Sequence, residues 1–399
     1  MRVRRRSGVV VALAAALTLG LAACDGGAAG GSRGAQNTVS STAQKHGREH
    51  GEPPRLSVKD GEAGVEPLAG AKVASASKLQ DVTLTNEQGR AVKAEYNPEK
   101  TEWETTEPLG YGRTYTLEAR NEDGTSSTAT FTTVSPAEQT NVAIGPYDGA
   151  TVGVAQAVTF RFGSAITDTK AAEDAITVET SNDTEGGFFW QSPYELLWRP
   201  KEFWEPGTAV TVRADIYGKD FGGGVWGAAD AENSFTIGDR VETVVDNRDK
   251  TLRVYRDGEL VRSFPVSLGA DGKYDTPNGT YVIGDSHEHL VMDSRSYGLG
   301  LNQGGYVTDV DWATQMSYSG IYVHAAPWAT WALGAQNQSH GCVNASSEDA
   351  KWFQQYVQRG DPVEVVGALG GTLPGYDGLG YWNYSWEERS GGTEDPRAQ

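Results

Sequence analysis

From about residue 54 to residue 366, short runs alternate apolar and polar side chains, as at 81–85, 115–119, 158–162 and 210–214. Such period-two runs predict half-buried strands. Turn pairs such as Asp123-Gly124 separate them, and the break at Ser135-Pro136 divides two blocks that each read as a small β-sandwich. A third block opens at 241–245, continues through 252–255 and the turn at Asp257-Gly258 to 260–266, and predicts a three-stranded meander. Only one segment changes to helical period. Ser346 and Ser347 can cap it, Glu348 and Asp349 suit its first turn, and Trp352, Phe353, Tyr356 and Val357 form one face before Gly360 stops it. A final strand is expected at 361–366, and the aromatic stretch 376–386 reads as a docked tail.

The expected architecture is mainly β, with two sandwiches at 54–137 and 138–238, a β-rich domain with one or few helices at 239–367, and a tail at 368–399. A chain of 399 residues is long enough for several such units. The 50 glycines fit a turn-rich protein. The formal charge of −19 lacks any basic stripe beyond the first residues, which argues against nucleic acid as a partner.

The beginning of the chain sets the compartment. Arg2, Arg4, Arg5 and Arg6 precede an apolar run from Val9 to Leu21, too short for a confident membrane span, and Leu21-Ala22-Ala23-Cys24 follows. Residues 1–24 therefore read as an export signal ending in a lipobox, with Cys24 as the lipidated residue and the outer face of the cell membrane as the location. Residues 25–53, nearly devoid of large apolar side chains, read as a flexible tether. If Cys24 carries lipid, Cys342 is a lone thiol in an oxidising compartment. An inert buried cysteine is the bland reading, and a used one the alternative.

Cys342 sits in Ser339-His340-Gly341-Cys342-Val343-Asn344, and His324 lies eighteen residues upstream. A nucleophilic cysteine needs a base and backbone N–H groups aimed at the oxyanion, and a glycine turn ahead of a helix can supply the latter. A zinc enzyme built from His287, His289, His324, His340 and Cys342 is the rival, weakened because no Asp or Glu lies between Asp311 and Cys342. The aromatic cluster Phe188, Phe189, Trp190, Tyr194, Trp198, Phe203 and Trp204 suggests either sugar stacking or, more commonly, packing. The loop at Asp220 carries one carboxylate and reads as a tight turn rather than a cation site.

With Thr276-Pro277-Asn278-Gly279-Thr280 and His324, this motif resembles the L,D-transpeptidase (YkuD-type) catalytic domain across roughly 240–367. The lipobox, the two sandwiches and residues 373–378 resemble the lipoprotein members of that family with two immunoglobulin-like modules. The resemblance implies Cys342 as nucleophile, His324 as general base, His340 as a pocket-shaping residue, and the amides of Gly341 and Cys342 as oxyanion hole. It implies Tyr306 on a lid over the donor site, Ser319 and Gly320 lining the substrate, Asn344 contacting it, and Met292 in the same pocket. No cofactor or metal is implied. The implied reaction is 3→3 crosslinking of peptidoglycan stem peptides, donor and acceptor, with carbapenem β-lactams as covalent inhibitors. One departure is Ala325, where the family carries a serine after the base, so a backbone carbonyl is expected to orient the imidazole. A carboxypeptidase or hydrolase with water as acceptor, and a non-catalytic wall-binding scaffold, remain alternatives.

Overall fold

The computed structural model describes residues 51–386; the expected signal, Cys24, residues 25–50 of the tether and the last thirteen residues lie outside the described residues. Within them the chain is built largely of strands, and the sandwich patterns form where the alternation predicts. In the first sandwich, Arg55–Leu56, Lys72–Ala74, Glu102–Thr105 and Ala94–Tyr96 pair in one sheet, against Leu79–Asn86, Thr114–Asn121 and Ser126–Thr132 in the other. Leu84, Leu117, Trp103 and Phe131 fill the space between. Ordered pairing begins slightly before 54, since the Glu52 carbonyl accepts from Asn121 Nδ2 at 3.1 Å.

The second sandwich packs Ala150–Val152, Ala231–Ile237, Ala209–Ala214 and Ile176–Thr180 against Gly186–Ser192, Glu195–Pro200, Val158–Phe162 and Val142–Gly145. A short helix absent from the sequence reading, Thr169–Asp174, starts at Asp168, whose carboxylate accepts from Ala171 N. The expected aromatic cluster is mostly interior: Trp204 is fully buried, Trp198 and Phe160 lie in the same core, and only Tyr194 is well exposed. Asp220 Oδ1 accepts from Gly222 N at 2.9 Å, a capped turn.

In the third domain, strands are numbered from its start. Strands β1 (Val241–Asp246), β2 (Thr251–Arg256) and β3 (Glu259–Pro265) form the meander, and the two-residue turn has φ of 52° at Asp257 and 82° at Gly258, as a hairpin of native twist requires. Strands β4 (Gly279–Val282) and β9 (Pro362–Val366) complete a sheet of order β3-β2-β1-β9-β4. A second sheet, β5-β6-β7-β8, comprises Ser286–Asp293, Val307–Gln315, Tyr322–Ala325 and Val343–Ala345. Helix α1 (Ser347–Tyr356) follows β8, capped by Ser346 Oγ, which accepts from Asp349 N, and buries Ala350 and Phe353.

The tail fastens the third domain to the second. Tyr381, 2 % exposed, donates its hydroxyl to Ala155 O and accepts from Ala157 N, both at 3.0 Å. Trp382 donates to Ala155 O, while Arg199 lies 4.0 Å from the Trp382 ring and donates to Tyr384 O. Phe189 and Phe203, from the aromatic cluster, face Tyr384 and Trp382 here. Beside this joint, Gly153 N donates to Arg359 O and Ala155 N to Gly360 O. A Cβ on Gly153 would meet both Asp361 N and Asp361 Oδ1 at 2.2 Å, so the contact requires glycine.

Asp361 is wholly buried, with Oδ2 accepting from Gln358 N and Oδ1 without a partner. Desolvation pushes its carboxyl up to about 8, only partly opposed by the Gln358 N–H. A folded-state pKa above the unfolded value means the folded chain holds the extra proton. Its stabilising effect is complete below the ordinary carboxylate range and is lost as pH rises through about 8. Asp361→Asn is expected to flatten the fall in melting temperature between pH 5 and 8; an unchanged fall would contradict this account. Tyr381→Phe, which strands the buried Ala157 N–H while Ala155 O keeps its bond from Trp382, is expected to cost about 1–3 kcal/mol in urea unfolding.

Candidate active site

Strands β7 and β8 run parallel with Val323 opposite Val343 and His324 opposite Asn344. Side chains alternate along a strand, so Cys342, two residues before Asn344, shares the face that carries Asn344 and His324. A cavity of about 290 Å³ opens on that face, lined by Cys342, His324, His340, Asn344, Met292 and Tyr306 among others.

Cys342 is a free thiol, 4 % exposed, packed with Met292, Tyr322 and Tyr306. Its Sγ donates to the Gly320 carbonyl at 3.4 Å and accepts from the Tyr322 N–H. Burial pushes the thiol up to about 11, against the smaller opposite effect of that N–H. His324 is buried too, and desolvation lowers its pKa below 6.5, opposed by the Ala325 carbonyl. At neutral pH the resting pair is therefore thiol and neutral imidazole. His324 Nδ1 lies 2.9 Å from Ala325 O, and since a carbonyl only accepts, the proton is on Nδ1 and Nε2 is bare. A bare Nε2 can take the thiol proton. The backbone carbonyl of Ala325 thus orients the imidazole, as expected with alanine at that position.

The turn before Cys342 is closely pinned. Gly341 has a φ of 121°, Thr276 Oγ1 donates to Gly341 O at 2.8 Å, and Ser339 Oγ donates to Cys342 O at 2.6 Å. Gly341 N donates to Ser339 Oγ at 3.1 Å, which corrects the expected oxyanion hole: this amide has to give up that bond before it can serve an oxyanion. Ser319 and Gly320 do not line the cavity. Ser319 N donates to Asp377 in the tail, and Gly320 takes part through its carbonyl.

His340 is a strut. Its Nε2 donates to Gly304 O at 3.1 Å, and its ring lies 4.1 Å from that of Tyr274 and 4.7 Å from that of Tyr306. The segment between β5 and β6, which includes 294–297, 301–303 and Tyr306, is thereby tied to the cavity that Tyr306 lines. Tyr306 N and O both bond Ser294. Of the zinc candidates, His289 turns to Asp311 and Asp309 at the exposed hairpin, and no group of three or more His, Cys, Asp or Glu suited to a metal occurs among the described residues.

Sequence reasoning assigned no role to Thr308, Trp328, Trp331, Gln338 and Ser339, which also line the cavity. Trp328 and Trp331 are 53 % and 63 % exposed on the turn Pro327–Ala332. Two tryptophans within seven residues of His324 were the available signal.

The chain matches the model of the L,D-transpeptidase catalytic domain over residues 240–365 and that of a bacterial Ig domain over 62–220. It is 47 % identical over 342 residues to L,D-transpeptidase 2 of Mycobacterium tuberculosis, covering 84 % of each chain. To L,D-transpeptidase 5 of the same species it is 35 % identical, over 79 % of this chain and 71 % of that one. An LD transpeptidase solved in complex with imipenem aligns with a TM-score of 0.50 at 36 % identity, over 57 % of this chain and 99 % of that one. The chain belongs to the L,D-transpeptidase family, as a cysteine-dependent peptidoglycan enzyme with an Ig-like region before its catalytic domain.

His340→Phe keeps ring packing but removes the donor to Gly304. Faster hydrogen exchange is expected across residues 298–306, with exchange in β1 and β2 unchanged.

Proposed function

We propose that this L,D-transpeptidase forms 3→3 crosslinks between peptidoglycan stems through a thioester on Cys342. The observation that carries this reading is the register of β7 and β8, which sets His324, with Nε2 bare, and Cys342 on one cavity. As donor carbonyl binds, the thiol gives its proton to His324 Nε2 and the sulfur attacks the carbonyl between the third stem residue and its terminal D-Ala. The tetrahedral oxyanion collapses, the C–N bond breaks, and D-Ala leaves with the proton from His324. The amine of a neighbouring stem's third residue then loses a proton to His324 and attacks the thioester, releasing Cys342 as thiol. The overall exchange is one amide for another, which needs no external energy source.

A thiol and imidazole both neutral at rest keep the sulfur unreactive until a carbonyl displaces water around it. A carbapenem offers such a carbonyl in a strained ring, and the same attack leaves a stable acyl enzyme. The charged start of the chain, its apolar run and Cys24 support export and lipid anchoring at the outer face of the membrane, where stems are presented.

The test is intact-protein mass spectrometry with imipenem and, separately, with a disaccharide tetrapeptide. A single adduct with imipenem, and D-Ala loss with dimer formation from the stem, are expected; Cys342→Ala abolishes all three. An adduct or crosslink that survives Cys342→Ala would sink the scheme, and trimmed stems without dimers would make water the acceptor. His324→Gln is expected to slow acylation by about 10²–10⁴-fold. Because burial lowers the His324 pKa, the base stays unprotonated to below 6.5, so D-Ala release should hold its plateau down through that pH. An acid limb centred above 6.5 would contradict the lowered imidazole.

A further inference from the structure

The sulfur of Cys342 donates to the carbonyl of Gly320. That carbonyl is placed by the turn between β6 and β7. The base of that turn is closed within the catalytic sheet: Met316 N donates to Ile321 O at 2.8 Å, and Ile321 N to Ser317 Oγ at 2.9 Å. Its tip has no partner in the sheet. Instead, Tyr318 N donates to Asp377 Oδ1 at 2.7 Å and Ser319 N to Asp377 Oδ2 at 3.0 Å, so one carboxylate from the tail holds two successive amides. Two N–H groups on one carboxylate form a charge-assisted pair, stronger and more directional than neutral turn bonds. Gly378, at a φ of 98°, lets the tail lie against the Tyr318 ring, where a Cβ would meet Cδ2 at 2.1 Å. Gly320 follows directly, at a φ of 94°, and its own Cβ position is taken by the Tyr297 ring. The turn is therefore fixed at its base by Ser317, at its tip by Asp377, and on its free face by the Tyr297 ring.

We propose that Asp377 is a positioning residue for the thioester chemistry: its carboxylate, delivered by the C-terminal tail, fixes the turn that presents Gly320 O to the Cys342 sulfur. This rests on the transpeptidase reading only in taking Cys342 as the nucleophile. With the clamp in place, the resting S–H is held on Gly320 O, so the sulfur is kept in one orientation until a donor carbonyl binds and the proton passes to His324 Nε2. Without it, the two amides turn to water, the tip relaxes, and Gly320 O leaves the thiol.

The consequence for the thiol has a definite sign. A hydrogen bond from S–H to Gly320 O favours the neutral form, as does exclusion of water, whereas the Tyr322 N–H favours the thiolate but is held by the pairing of β7 with β6 and β8; loosening the turn removes the first two and leaves the third, so the thiolate forms at lower pH while acylation, which depends on aim, slows. The other titratable groups around the sulfur, His324, His340 and the phenols of Tyr281, Tyr306 and Tyr322, belong to other elements or to the strand itself; of them Tyr281, raised by burial and then by the Asp377 charge, loses the second contribution in Asp377→Asn.

The experiment uses the full chain with two tail substitutions. Asp377→Asn removes the charge and one acceptor; Asn383→Ala removes a tail contact remote from the turn, the pair of bonds with the Thr280 backbone. Imipenem acylation is timed by mass spectrometry, iodoacetamide alkylation of the Cys342 peptide is followed from pH 5 to 10, and melting temperature is measured for each. Asp377→Asn should slow acylation about tenfold and move the alkylation midpoint to lower pH, while Asn383→Ala lowers the melting temperature and leaves both thiol readouts as they were. Asp377→Glu, which keeps the carboxylate, should fall between and replaces the Asn variant if that one does not melt cooperatively. Wild-type acylation and titration in the Asp377 variants would overturn the proposal, as would equal thiol effects from Asn383→Ala, which would make the tail a general stabiliser. Failure of the wild type to crosslink stems would count against the transpeptidase reading alone, because the alkylation comparison still decides the role of Asp377.

Discussion

A buried sulfur is the constraint around which this domain is arranged. Cys342 lies among Met292, Val310, Ala313 and Tyr322, and the loss of water that makes the pocket selective also raises the thiol far above neutrality. Such a thiol is useless unless its proton has a destination and its sulfur an orientation. The first is His324, brought alongside by the parallel pairing of two short strands; the second is the Gly320 carbonyl and Tyr322 N–H on the opposite end of the same strand's hairpin. The rest of the catalytic domain holds these two arrangements in register. Helix α1 backs β6 and β7, Thr276 props the Gly341 turn, and the His340 strut holds the Gly304 carbonyl and the Tyr306 ring.

Part of that support comes from outside the catalytic sheets. The tail leaves β9, returns past the Tyr318–Ser319 tip through Asp377, and then inserts Tyr381 and Trp382 between the catalytic domain and the Gly153–Ala157 loop of the second sandwich. Arg161 of that sandwich also donates to the Tyr318 hydroxyl. The second sandwich is thereby in hydrogen-bond contact with the turn that faces the nucleophile. The first sandwich joins it through Tyr111, which donates to Gly227 O and accepts from Gly218 N, so the described chain is tied along its length by buried or half-buried tyrosines.

What the sequence could disclose follows from how local each feature is. The meander at 241–265 shows in the alternation of Val241, Thr243 and Val245, all buried, and α1 shows in its cap and apolar face, because both patterns are settled by neighbours a few residues away. Cys342 and His324 were legible as chemistry, since lone thiols and imidazoles are conspicuous. The roles of Gly320, Ser319 and Gly341 were less so. Each depends on which atom of the backbone points where: Gly320 acts through its carbonyl, Ser319 through an amide spent on Asp377, and Gly341 through an N–H spent on Ser339. Backbone direction leaves little trace in residue type except at glycine. The tail was legible as docked, but the contacts of Asp377 and Tyr381 were not, because their partners lie 58 residues or more away in sequence and no period links them.

The partner of His324 explains the kind of nucleophile the site can use. In a serine enzyme a carboxylate behind the imidazole stabilises the imidazolium and so strengthens the base for a reluctant hydroxyl. Here the group behind it is the Ala325 carbonyl, a dipole without net charge, and burial disfavours the charged ring. That imidazole is too weak a base for a hydroxyl but adequate for a thiol, whose acidity lies much closer to its own. A main-chain carbonyl also cannot rotate away or ionise, so the tautomer with Nε2 bare is set by the strand itself. Alanine at position 325 therefore leaves the base correctly oriented, because β7 carries both the imidazole and the acceptor that aims it.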